Sequence, residues 1–355
     1  MEKVVVGLSG GIDSSFALYL LKEMGFKVIG VSMKIWDGSD VSSSKKKGGC
    51  FGPKEEEEIK DAEKVCRILD VPFYVFDLSK EYKRDVLDYV KKEYTAGRTP
   101  NPCVLCNRKI KFGLLLKFVA KSGISFDFFA TGHYARIEKI KENYFLKKGI
   151  DEKKDQSYFL WKLQKEQIKN ILFPLGNWKK EDVKKEAKKL KFPALDKPES
   201  QDFFEGDLEF LIPETKKGPI KDLKGNILGE HKGISHYTIG QRRGLGISFL
   251  EPLYVVKIDP KENTIFVGTK KDCFQKKFSV FDLNWVSIDE PKEEIECFVK
   301  VRYKHNPAKA KVKVENGKAI VEFEEPQLSI TPGQSTVFYD GDVLLGGGII
   351  DFVYE

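Results

Sequence analysis

The sequence has no apolar run near the ~20 residues that a membrane helix needs, which excludes a helical membrane span. Met1-Glu2-Lys3 leads straight into a β-branched run, so no signal peptide is expected and the cytoplasm is the expected compartment. Histidine is scarce, with four in 355 residues, and the scatter of His231, His236 and His305 gives no metal-ligand spacing. Six cysteines are too few for a disulfide scaffold. In a cytosolic chain they point to catalysis or metal binding. No internal repeat is present. What remains is a globular composition, 41% hydrophobic and 32% charged, long enough for two or three domains. The net charge of +7, carried mostly by lysine, fits a polyanionic partner. It fits equally a solvated Lys/Glu surface of the kind thermophiles favour.

The first half alternates strand and helix patterns. Strands are predicted at 4–8, 28–33, 73–76 and 126–131, and helices at 13–24, 55–69, 80–94 and 109–121. That order predicts an α/β fold with a parallel sheet, whose ligands lie beyond the carboxyl ends of its strands. Residues 37–53, rich in Ser, Lys and Gly, read as a mobile loop, and 138–156 as a hairpin. Helical patterns return at 164–171 and 180–190. From about residue 212 short apolar runs alternate with Gly, Pro and Asn turns; strands are predicted at 254–258, 265–268, 298–303, 319–323 and 335–339. The expected division is a nucleotide-binding domain over 1–211, a small β-rich domain over 212–274 and a β-barrel over 275–355.

The chemistry concentrates at Gly7-Leu8-Ser9-Gly10-Gly11-Ile12-Asp13-Ser14, between a strand and a helix. Glycines admit phosphate close to the backbone, and the first amides of the helix point at it. The Walker spacing and its lysine are absent. The loop resembles the Ser-Gly-Gly-x-Asp-Ser loop of enzymes that split ATP into AMP and pyrophosphate. A second cluster runs from Gly97 to Asn107 and holds Cys103 and Cys106. Two prolines forbid helix before Cys103, so a helix beginning near Asn107 places Cys106 at its N-terminus, where the dipole favours thiolate. Cys-x-x-Cys also suits zinc, iron–sulfur or redox pairs. Thr131-Gly132-His133-Tyr134 closes a strand. There Gly132 permits close approach to a ligand, and His133 either binds phosphate or a base or caps the strand.

Together these motifs resemble the tRNA-specific 2-thiouridylase family. The resemblance is carried by the phosphate loop, Arg98-Thr-Pro-Asn-Pro-x-x-x-Cys106-Asn107, Lys109-Ile-Lys-Phe112, Thr131-Gly-His-Tyr-Ala-Arg136 and Lys154-Asp-Gln-Ser-Tyr-Phe-Leu160. It continues through Ser235-His-Tyr-Thr-Ile-Gly-Gln-Arg-Arg-Gly-Leu-Gly246, Thr331-Pro-Gly-Gln334 and Gly346-Gly-Gly-Ile-Ile-Asp351. The resemblance implies adenylation of the C2 oxygen of the wobble uridine in the tRNA anticodon arm, then displacement of AMP by sulfur. It implies that Gly7, Leu8, Ser9, Gly10, Gly11, Ile12, Asp13, Ser14, Met33 and Gly132 hold ATP, with Asp13 placing Mg2+ and the pyrophosphate. It implies that Asn101, Pro102 and Cys103 border the flipped base and that Cys106 is the nucleophilic cysteine. His133, Lys154, Asp155, Gln156, Arg302, Tyr303 and Gln334 would contact tRNA. A flipped, unstacked base suits recognition by pocket and stacking.

Two departures stand out. The family pattern Asn-Pro-Asp-x-x-Cys here has Cys103 in place of its Asp. The family's second cysteine, in Ser-x-Gly-Ile-Cys-Phe, is missing from Ser200-Gln-Asp-Phe-Phe-Glu205. Cys50, in a turn at the same sheet edge, offers a third thiol. Cys50, Cys103 and Cys106 as ligands of a [4Fe-4S] cluster, with sulfide on the open iron, is the leading expectation. A Cys106 persulfide resolved by Cys103 is its rival, and structural zinc is a third reading. Cys66, Cys273 and Cys297 are expected to pack in cores. The sulfur comes from sulfide or a relay protein, and a monomer is expected. Two other classes remain. One is an amidating synthetase on the same loop, against which the Cys-x-x-Cys speaks. The other is a degenerate tRNA-binding protein, against which the intact loop speaks.

Overall fold

The computed structural model describes residues 1–38, 49–193, 202–204, 211–212 and 215–354. The expected mobile loop falls mainly on 39–48, outside the described residues. Val4, Val5 and Val6 are wholly buried in β1 (Lys3–Gly7), as a strand covered on both faces requires. Four further parallel strands complete this sheet: β2 (Lys27–Lys34), β4 (Phe73–Asp77), β5 (Phe128–Thr131) and the short β8 (Ile171–Leu172). Their order is β4-β2-β1-β5-β8. Helix α1 (Ile12–Glu23) follows β1, and α2 (Glu55–Ile68) precedes β4. A continuous helix over 79–95 (α3) and another over 102–121 (α4) follow. Each widens within its length, α3 at Lys83–Leu87 and α4 at Cys106–Leu114. In α4 the Leu115 N–H bonds Ile110 O, five residues back, the signature of a π turn.

Two sequence expectations need correction. The helix of the cysteine cluster starts at Pro102, not near Asn107. Proline breaks a helix interior but suits its first position, where no N–H partner is needed. Asn101 is therefore the N-cap and Cys106 lies a full turn inside. The 164–171 helix is instead a 3₁₀ turn (Ile168–Asn170) leading into β8. The helix predicted at 180–190 is present as α5 (Lys180–Lys189).

The second half is β structure. A four-stranded sheet contains β10 (Gly218–Asp222), β11 (Ile227–His231), β12 (Tyr254–Asp259) and β13 (Thr264–Gly268). Six strands then close into a barrel: β14 (Phe274–Trp285), β15 (Ile295–Lys300), β16 (Ala308–Glu315), β17 (Lys318–Leu328), β18 (Ser335–Asp340) and β19 (Val343–Tyr354). The β14–β19 pairing seals it. The predicted hairpin exists as β6 (Ala135–Ile140) and β7 (Asn143–Lys148), but it extends the barrel sheet through β19. A two-stranded parallel pair joins β3 (Gly49–Phe51) to β9 (Asp202–Phe204).

Candidate functional site

The phosphate loop folds around its glycines. Gly10 has φ +72°, and a Cβ there would sit 2.2 Å from Glu58 O of α2. Ser14 Oγ donates to Gly11 O at 3.0 Å and accepts from Ser9 N–H at 3.2 Å, so the loop's own hydroxyl shapes its turn. The N-cap Gly11 makes no side-chain cap bond, which leaves the amides at the start of α1 to point into the cradle. Across the cradle, a Cβ on Gly132 would meet Asp13 C and Ser14 N at 2.7 Å. The turn after β5 thus rests directly on the start of α1. Met33, half-buried, is the penultimate residue of β2, at the same sheet edge.

Asp13 is held from two sides. Tyr134 donates its hydroxyl to Oδ1 at 2.8 Å, and Lys180 Nζ lies 2.7 and 2.6 Å from the two carboxylate oxygens. Lys180 was not singled out from the sequence, because 167 residues separate it from Asp13. Nearby, the buried Glu55 carboxylate accepts from Ile35 N–H at 2.7 Å and Trp36 N–H at 3.0 Å, tying α2 to the end of β2. Burial raises its pKa from 4.5 to about 7, partly opposed by those bonds.

The cysteines meet the expectation of convergence only in part. Tyr82 is fully buried, and its hydroxyl is pushed well above its usual pKa by burial first, then by Cys106, Cys50 and Cys103. All three thiols therefore act on one hydroxyl, whose ring stacks on Phe51 at 5.7 Å. Cys50 is exposed, while Cys103 and Cys106 are half-buried. The helix N-terminal field falls on Cys103 rather than Cys106. The expected lowering of the Cys106 pKa is reversed. Burial raises it from 9.0 to about 11, with Lys111 pulling it down and Cys50 pushing it up. The placement of these thiols does not show the [4Fe-4S] ligand set expected from them. Among the described residues no group of three or more Cys, His, Asp or Glu is arranged to hold a metal ion. The β3–β9 register carries further information. Gly49 pairs Asp202 and Phe51 pairs Phe204, so Cys50 sits beside the segment that lacks the family's second cysteine. Cys66, Cys273 and Cys297 are buried, as expected.

The residues expected on tRNA divide into surface groups and internal braces. Gln334 donates to Thr99 O at 3.0 Å and Pro100 O at 3.1 Å, and Thr99 N–H bonds Pro332 O. The barrel therefore grips the loop that leads to Cys103. Arg98 adds bonds to Ile350 O and Asp351 O. Arg302 donates to Leu328 O at 2.7 Å, in a turn beyond β15. The strand predicted to run to 303 stops at Lys300. Asp155 is buried and accepts from the Gly149 and Ser157 amides. Gln156 clamps Tyr134 by two bonds of 2.9 Å. His133 bonds Thr131 Oγ1 at 2.7 Å, and burial drives its pKa well below 6.5, so it is neutral at neutral pH. It can bond a base but cannot supply charge to phosphate. Tyr303 keeps an aromatic face on Phe159 at 4.6 Å with Lys300 beside it, and Lys154 is half-buried.

A cleft of about 1180 Å³ is lined by none of the phosphate-loop residues. It runs along α4 between the α/β unit and the barrel. Asn101 lines it together with six cations, Arg84, Lys92, Arg108, Lys109, Lys117 and Lys162, against three carboxylates, Asp85, Asp88 and Asp282, of which Asp85 pairs Arg84 and Lys109 and Asp282 pairs Lys162. A basic cleft of that size matches a polyanion rather than a free nucleotide.

A parallel sheet ending in this glycine cradle defines a nucleotide-binding domain of the pyrophosphatase-loop type. Family descriptions agree along the chain: a tRNA methyl transferase HUP domain matches 2–204, a tRNA methyl transferase PRC-barrel domain 208–269, and an aminomethyltransferase β-barrel domain 275–350. A tRNA-specific 2-thiouridylase of Endomicrobium trichonymphae is 45% identical over 355 residues, covering 98% of each chain. One from Acetivibrio thermocellus is 44% identical over 98% of this chain and 99% of its own. The chain belongs to the tRNA-specific 2-thiouridylase family.

Proposed function

We propose that this protein is an ATP-dependent tRNA sulfurtransferase that makes 2-thiouridine at the wobble position. The observation that carries the reading is the basic α4 cleft, which begins at Asn101 and runs past the Cys-x-x-Cys helix. It supports an RNA polyanion along α4, on the side lined by Asn101, Val104, Leu105 and Arg108, with bases splayed from the strand. The glycine cradle and Asp13 fit ATP with magnesium, which would screen the charge of the departing pyrophosphate. In the first step the uridine C2 oxygen bonds the α-phosphorus and the α–β phosphoanhydride bond breaks, releasing pyrophosphate. In the second, sulfur bonds C2 and the C2–O bond breaks, with AMP leaving.

The sulfur route we favour is a persulfide on Cys106. Its terminal sulfur attacks C2. Cys103 then attacks the Cys106 sulfur and breaks the S–S bond, leaving sulfur on the base and a Cys103–Cys106 disulfide. An external dithiol reduces that disulfide. The donor is a persulfide-bearing relay protein. Cys103, in the field of the α4 N-terminus, suits the resolving role. No step is routed through an iron–sulfur cluster; among the described residues no group of three or more Cys, His, Asp or Glu is placed to hold a metal ion.

Unmodified tRNA, ATP and a persulfide donor should give 2-thiouridine and stoichiometric pyrophosphate with iron-free protein prepared anaerobically. Equal activity before and after iron and sulfide reconstitution supports the persulfide route. Activity only after reconstitution would return the sulfur to a cluster on Cys50, Cys103 and Cys106. Pyrophosphate release without thiolation, in both samples, would overturn the sulfurtransferase reading.

A further inference from the structure

The phosphate loop lacks the lysine of a Walker loop, yet a lysine reaches it from elsewhere. Lys180 opens α5, and its backbone N–H is anchored on Asp151 Oδ2 at 2.9 Å. Trp178, just before it, packs edge-on against Phe16 of α1 with ring centroids 5.1 Å apart, and Val183 and Ala187 share α1's core cluster. The start of α5 is thereby fixed over the start of α1. The Lys180 side chain is 6% exposed and spans both oxygens of Asp13, whose own side chain is 29% exposed. Its ammonium also stands 5.9 Å from the Tyr134 ring.

A buried ammonium is tolerated only beside an anion. Here that anion is the loop carboxylate, the group that the proposed reaction assigns to magnesium. When magnesium claims Asp13, the phosphates in the cradle offer the Lys180 ammonium an anion in its place. We propose that Lys180 is the phosphate-binding lysine of this site. It stabilises the loop through Asp13 and transfers its ammonium to the β- and γ-phosphates when the magnesium nucleotide binds. It then stays with the leaving pyrophosphate as charge builds there. The proposal rests on the nucleotide reading of the loop but does not depend on the fate of the sulfur.

The test separates phosphate contact from simple neutralisation of Asp13. Asp13→Asn releases Lys180, so inorganic pyrophosphate without magnesium should bind this variant at least about tenfold more tightly than the parent protein. Adding Lys180→Met removes both charges of the pair, which tends to be well tolerated, and should abolish the gain. Calorimetry on the full chain reads both, and thermal melting confirms that the double variant is folded. In single-turnover pyrophosphate release with tRNA, Lys180→Met should slow the step about 100-fold or more, as loss of a transition-state charge partner does, and Lys180→Arg should recover part of it. Unchanged pyrophosphate affinity on adding Lys180→Met to Asp13→Asn would overturn the proposal. That outcome would leave the sulfurtransferase reading standing, because the binding experiment contains no tRNA and no sulfur.

Discussion

Gly10 and Gly11 are adjacent in sequence, but substitution should separate them sharply. Gly10 is left-handed, at φ +72°, and a Cβ on it would lie 2.2 Å from Glu58 O and 2.8 Å from Glu58 Cα. These are backbone atoms of α2, so no side-chain rotation relieves the clash. Left-handed backbone costs an alanine ~1–2 kcal/mol. Forced displacement of packed structure costs a further ~1–3 kcal/mol. Gly10→Ala should therefore destabilise by about 2–5 kcal/mol. Gly11 has φ −84°, and its Cβ would meet only Ser9 Oγ at 3.5 Å. Gly11→Ala should cost under about 1 kcal/mol, the usual effect of a poorer N-cap residue. Urea unfolding followed by tryptophan fluorescence measures the difference, since Trp178 packs on Phe16 of α1. Equal unfolding midpoints for the two variants would refute the steric argument.

Burial holds Glu55 at a pKa of about 7 against 4.5 when unfolded, so folding favours its protonated form. Its contribution to stability is therefore full below pH 4.5 and lost as pH rises through about 7, by at most ~3 kcal/mol. Glu55→Gln should remove that slope, and denaturant midpoints of both proteins at pH 5 and pH 8 check the sign. Gln334→Ala removes two donors to the 99–100 carbonyls. It should cost ~1–2 kcal/mol and lower the thiolation rate more than tRNA affinity, as single-turnover rates and filter binding would reveal. Iodoacetamide at pH 7 should modify the exposed Cys50 well before Cys106, whose pKa is about 11, and peptide mass mapping gives the order.

Much of the α/β unit was legible because its signals are local. Val4-Val5-Val6, the glycine loop and the apolar face of α1 each lie within a few consecutive residues. The start of α4 was misread because Pro100 and Pro102 look like breakers until Pro102 is allowed the first helical position. That one shift moves the helix field from Cys106 to Cys103. Lys180, Gln334 and Arg302 could not be assigned their roles from spacing, since their partners come from distant segments. The resemblance put Gln334 and Arg302 on RNA. In the fold both also grip main-chain carbonyls, a role that spacing in the sequence does not reveal.

The β6–β7 hairpin has a further bearing on how this chain can be divided. It leaves the Gly132 turn at the nucleotide cradle and within a few residues joins β19, where Val343 pairs Lys147 and Arg136 meets Asp342 at 2.6 Å. The two ends of the molecule are stitched by a strand that belongs to one in sequence and to the other in space. Cutting at residue 275 would not yield two intact modules. The N-terminal fragment would carry an orphaned edge strand open to self-association, and the barrel could not be exchanged for another without rebuilding the turn that touches Asp13.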